Sequence, residues 1–161
     1  KKIVRSIMDA IGVEGNFKIK AAKVANVEAT IKHHQRYILY NPAFIEQVNA
    51  ETNNKWAAIF ILAHEVAHHI EGHTLVDIRE RPVVELQADQ FAGYTLRRMG
   101  ASLAQAQLAI HYIANAEPSK THPGRETRLA AIQRGWERAQ SQLASLATKS
   151  GNDGKTTGAP N

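Results

Sequence analysis

Apolar residues recur with helical spacing at Ile3, Val4, Ile7, Met8 and Ile11, and Gly12 is a natural stop, so a first helix is expected over 3–11. The period then changes to two. Phe17-Lys18-Ile19-Lys20 alternates apolar with polar, as does the stretch from Val24 to Ile31, and Arg36-Tyr37-Ile38-Leu39-Tyr40 is rich in strand-favouring side chains. His33-His34-Gln35 suits the turn between the last two runs. These patterns predict a small three-stranded, mostly antiparallel sheet, with lysines on the first strand guarding an exposed edge.

From Pro42 onward the pattern is helical. Pro42 can open a short helix to about Asn49, and Glu51-Thr52-Asn53-Asn54 is a polar linker with good capping residues. A longer helix is expected from about Asn54 to Glu71 with Gly72 as its stop, then a loop over 73–80. Pro82 suits the first turn of a helix ending near Met99, closed by Gly100. Ser102 with Gln105 reads as a capping box opening a helix to about Ala116. After a polar loop from Glu117 to His122, Pro123 opens a last helix whose stripe of Leu129, Ile132, Trp136, Leu143 and Leu146 should face the core. The expected fold is therefore α+β, a small sheet packed on a bundle of about five helices, in one domain over 1–147. Gly, Thr, Asn, Lys and Pro dominate 148–161, which predicts a flexible tail.

The helix over 54–71 changes the picture, because it carries His64-Glu65-Val66-Ala67-His68. Residues four apart on a helix lie about 40° apart around its axis, so both imidazoles can grip one zinc ion. Glu65 falls beside that position, where a general base for a metal-activated water belongs. Ile59, Leu62, Val66 and Ile70 lie on the opposite side, so one face is expected to meet a core and the other a metal.

A catalytic zinc usually takes three protein ligands. The candidate third is Glu85, in Glu85-Leu86-Gln87-Ala88-Asp89, far enough beyond His68 for the chain to reverse and lay a second helix beside the first. Asp89 shares a face with Glu85, and is expected to accept a hydrogen bond from the free ring nitrogen of a ligand histidine. The competing reading is two solvated carboxylates on an exposed face. His69 points about 100° away from His68, His73 lies past the helix stop and His111 sits on another helix; all three are expected to be non-ligands, with His69 or His73 the better candidates for a supporting role. His33 and His34 are expected in a turn, and Tyr94 is a candidate for the cleft.

Composition narrows the field. The chain has 161 residues and no cysteine, so disulfides and thiolate zinc sites are excluded and any zinc must be held by His and carboxylate. The net charge of +5 lies mostly in residues 1–32, without the dense basic stripe and interleaved aromatics of a nucleic-acid surface, so no nucleic-acid partner is expected. The longest apolar run, Trp56 to Ala63, is too short to span a bilayer. An opening Lys1 rather than Met suggests a processed form or an excised piece, whose targeting or anchoring segment would have been removed.

H-E-V-A-H, then E-L-Q-A-D, then Thr121-His122-Pro123 with Arg128 resembles the motif order of the gluzincin metallopeptidases typified by the HtpX heat-shock protease and the CAAX prenyl protease. The resemblance spans roughly residues 15–136 and is closest to soluble, minimal members, since no membrane-spanning helices flank the motifs. It implies a zincin-like fold and a zinc-dependent endopeptidase with one Zn2+ held by His64, His68 and Glu85. It also implies Glu65 as general base, His122 stabilising the oxyanion, and Asp89 and Arg128 in support. Asn26-Val27-Glu28-Ala29 is similar to the family's strand before the metal helix, and would bind an extended peptide by strand addition. The expected partner is an unfolded or flexible polypeptide. The family favours a bacterial periplasmic or membrane-associated setting, with the cytoplasm as the alternative. Two other functions fit the same residues: a non-catalytic zinc- and peptide-binding module of chaperone type, and a regulatory protease for one dedicated partner.

Overall fold

The computed structural model describes residues 1–75, 81–120 and 122–152. Its elements are α1 (Lys2–Ile11), β1 (Lys18–Ala21), β2 (Val27–Lys32), β3 (Gln35–Tyr40), α2 (Pro42–Thr52), α3 (Lys55–Ile70), a 3-10 turn (His73–Leu75), α4 (Arg81–Arg98), α5 (Leu103–Ile113) and α6 (Arg125–Asn152). The class is α+β, with six α-helices and one small sheet among the described residues. Among the described residues no helix is long and apolar enough to cross a membrane. The expected tail overlaps the end of α6, and residues 153–161 lie outside the described residues, as do 76–80 of the expected loop.

The sheet is mixed rather than mostly antiparallel. Its order is β1-β3-β2, with β1 parallel to β3 and β2 antiparallel to it. The cause lies in residues 22–26, which carry the chain round the end of β3 instead of turning it straight back. Ala22 N–H donates to the Tyr40 carbonyl (2.9 Å), Asn41 N–H to the Asn26 carbonyl (2.8 Å) and the Asn41 side-chain amide to the Val24 carbonyl (3.0 Å). Alternation from Val24 thus becomes a strand only at Val27. Between β2 and β3 the turn is just His33-His34, both at positive φ (49° and 61°), as a two-residue hairpin loop demands. Gln35 already belongs to β3.

α3 is buried well beyond its expected core face. Ala57 through His64, Val66, Ala67 and His69 are all buried, whereas Ile70 at its end is 38% exposed. α1, α2, α4, α5 and β2 all pack on it, and a helix enclosed in this way has no solvent face to keep polar. Its metal-facing side opens only onto the cleft beside β2.

α4 and α6 pack closely because glycines meet backbone at their crossing. A Cβ on Gly135 would land on the Gln90 carbonyl, and one on Gly93 on the Ile132 carbonyl. This contact brings α6 side chains to the buried face of α4. The Ser102–Gln105 capping box opens α5 in both directions. α5 ends at Ile113, short of Ala116, because Ala114 is extended and its carbonyl accepts two bonds from the Arg125 guanidinium (3.1 and 2.8 Å). α6 likewise starts at Arg125, two residues after Pro123. Leu129 and Ile132 are buried and Trp136 half-buried, but Leu146 is 59% exposed, since α6 runs on past the helices it packs against.

Candidate metal centre

α3 presents His64, Glu65 and His68 to one cleft. Each offers a ligand atom within 4.8 Å of the others, and this group could hold a metal ion. α4 adds a further carboxylate. Glu85, buried, sets one oxygen 3.1 Å from His64 Nε2 and the other 3.6 Å from His68 Nε2, and the two Nε2 atoms are 3.1 Å apart. Three donors each about 2.0–2.2 Å from one zinc at tetrahedral angles stand about 3.3–3.6 Å apart, so the spacing of His64, His68 and Glu85 fits a single small cation. Two imidazoles and a carboxylate, with no sulfur, form a donor set for a divalent transition-metal ion. Glu65 belongs to the same group, and its Oε2 accepts a 2.7 Å bond from Ala29 N–H.

The surroundings fix ring orientation. His64 Nδ1 lies 2.9 Å from Asp89 Oδ1, which leaves Nε2 for the cleft. Asp89 is fully buried and takes both arms of Arg128, Nε to Oδ2 at 2.7 Å and Nη2 to Oδ1 at 2.8 Å. Arg128 comes from α6, and the Gly93–Gly135 crossing lets it reach α4. Asp89 and Arg128, expected only to support the site, are thus among its most buried members.

Charge in the cleft is organised around His64. Burial opposes its protonation, but hydrogen bonds to Asp89 and Glu85 outweigh burial and push its pKa up to about 10. Burial would raise Glu85, yet the bond to His64 and the charges around it hold Glu85 down at about 2. Asp89 is likewise held low, against burial, by Arg128 and His64. Burial, with His64 beside it, keeps His68 neutral down to about 3. Burial lifts Glu65 to about 7 despite His64 and the Ala29 amide. The position between Glu85 and Asp89 is therefore built for a positive charge.

One wall of the cleft is the free edge of β2. Lys32 pairs with Gln35 across the two-residue loop, so Ala29, opposite Ile38, falls in a non-hydrogen-bonded pair whose N–H and C=O point off the sheet. Asn26, Val27, Glu28 and Ala29, the expected peptide-binding residues, all line the cleft. It measures about 600 Å³ and is also lined by His64, Glu65, His68, Glu85, His122 and Arg128, with Phe44, Phe60, Ile61 and Ile113 forming an apolar part. His122 lies on the loop before α6, its side chain half-exposed and Nε2 3.8 Å from Glu85 Oε2. Its N–H donates to Ser119 Oγ (3.0 Å) and its carbonyl accepts from Ser119 N–H (2.8 Å). Thr121 of the same motif lies outside the described residues.

The other histidines separate cleanly. His69 is buried on the far side of α3, stacked on Phe17 with Nε2 2.8 Å from the Tyr37 carbonyl, and it ties α3 to β3. His111 is exposed on α5. Tyr94 does not face this cleft: its hydroxyl donates to Gln142 Oε1 (2.7 Å) on α6. His73 does reach the site, with Nδ1 3.1 Å from His68 Nδ1 and Nε2 3.2 Å from Glu71 Oε2. Glu71 had no sequence signal of its own. The hint lay in Gly72, whose φ of 75° turns the chain back and returns His73 to His68.

No family model, no curated protein and no solved structure matches this chain.

Proposed function

We propose that the chain is a zincin-like, zinc-dependent endopeptidase acting on unfolded or flexible polypeptides, with one zinc held by His64, His68 and Glu85. The carrying observation is the convergence of His64 Nε2, His68 Nε2 and Glu85 at 3.1–3.6 Å beside a second carboxylate, Glu65, anchored to the edge strand. A pure metal scaffold has no chemical need for that second carboxylate. Zinc bound there supplies a Lewis acid for a carbonyl and makes a water acidic enough to attack near neutral pH.

The chain's own groups do the rest. Glu65 takes the proton from the attacking water and delivers it to the leaving amine nitrogen. His122, on the loop over Glu85, faces the negative charge that grows on the carbonyl oxygen. Asp89, backed by Arg128, holds His64 with Nε2 toward the cleft. The outward main-chain groups of β2 other than the Ala29 N–H, which Glu65 holds, take an extended peptide as an added strand, which gives affinity from main chain and only loose sequence preference.

The test is cleavage of casein by the zinc-loaded chain beside Glu65→Gln, with one zinc per chain verified in both. Cleavage by the parent, reduced about 10²–10⁴-fold in the variant, is the expected result. Equal rates in both would remove Glu65 from the chemistry. Zinc in both with no cleavage in either would favour a peptide-binding module or a protease for one dedicated partner.

A further inference from the structure

We propose that His73 is a positioning residue for His68, so that each histidine of the H-E-x-x-H turn is held from behind its ring by a hydrogen-bond partner. This rests on His68 being a metal ligand, as proposed above. The two rings meet nitrogen to nitrogen, His68 Nδ1 to His73 Nδ1 at 3.1 Å, so one must donate and the other accept. His68 turns Nε2 toward His64 and Glu85. For that nitrogen to offer a lone pair to a cation, the proton of neutral His68 must sit on Nδ1. His73 Nδ1 then accepts, and the His73 proton falls on Nε2, 3.2 Å from Glu71 Oε2. His73 therefore selects the tautomer of His68.

Local structure explains how a residue beyond the helix can do this. α3 ends at Ile70, Glu71 N–H closes on the Ala67 carbonyl (2.8 Å), and Gly72 at φ 75° reverses the chain. The 3-10 turn that follows lays the His73 ring edge-on to His68, centroids 5.2 Å apart. Only five residues separate the two histidines, so the support is local to the metal helix.

The experiment reads nitrogen-15 shifts of the imidazole rings in the metal-free chain, together with zinc affinity by competition with a chromophoric chelator. In the parent, His68 should be the Nδ1–H tautomer. In His73→Ala that preference should relax toward Nε2–H, and zinc affinity should fall about 10–100-fold, the range for groups that orient a ligand. His73→Asn, whose side-chain carbonyl can accept from Nδ1–H, should recover most of both. Parent His68 found as Nε2–H would overturn the proposal without requiring that any variant fold. An unchanged tautomer in a folded His73→Ala would overturn it too, whatever the zinc affinity. Absence of zinc binding in the parent would instead count against the metal reading, leaving the tautomer result to decide the role of His73.

Discussion

His64 and His68 sit one turn apart on α3 but are held in different ways. Behind His64 stand Asp89, with no exposed surface, and Arg128, 6% exposed, joined by two short bonds inside the α3–α4–α6 core. Behind His68 stand His73 and Glu71, on a turn at the end of the same helix, with Glu71 exposed. The first support joins three helices and is part of what folds the protein. The second is a local loop closure. Removing a member of the first should therefore cost stability, while removing a member of the second should cost ring orientation and leave the fold intact.

Arg128→Ala is the severest way to break this contrast. It strands the Asp89 carboxylate in the core with only His64 to answer it, and loss of one partner from such a pair costs about 3–5 kcal/mol. The denaturant midpoint of the metal-free variant should fall accordingly; a fall below about 1 kcal/mol, the level of an exposed pair, would show that the two supports are not so different. On the other side, Gly72→Ala forces a Cβ onto a left-handed residue with nothing within 4 Å of it, so its cost is backbone strain alone, about 1–2 kcal/mol. It should nonetheless weaken zinc binding, because the turn delivers His73. His73→Ala should move the midpoint least of the three while still moving the His68 tautomer.

What could be read from the chain beforehand follows the range of the interactions. Gly12 as a stop, the Ser102–Gln105 capping box and the hairpin at His33-His34 obey rules within a few residues, and each is present. The H-E-x-x-H face and the reach of Glu85 and Asp89 from a second helix follow from helical geometry and one chain reversal, and the structure brings those side chains together. The parallel pairing of β1 with β3 was not legible, because it depends on residues 22–26 wrapping a strand that comes later in the chain. Nor was the near-complete burial of α3, which is set by the elements packed around it rather than by its own pattern. The contact of His73 with His68 escaped notice because it depends on the turn at Gly72, which returns a residue beyond the helix stop to the helix. The closeness of α4 and α6 at Gly93 and Gly135, which puts Arg128 on Asp89, is likewise visible only once the two helices are paired.

The most direct test concerns which carboxylate completes the centre, since His64 and His68 are within reach of both Glu65 and Glu85. Zinc content and affinity should be measured for the parent, Glu65→Gln and Glu85→Ala. Glu65→Gln should keep one zinc within a few-fold of the parent affinity, while Glu85→Ala should lose more than about 100-fold, beyond the range of a merely supporting group. Loss of zinc from Glu65→Gln with retention in Glu85→Ala would contradict the central claim, because Glu65 would then be a ligand and the chain would lack the base on which the peptidase reading depends.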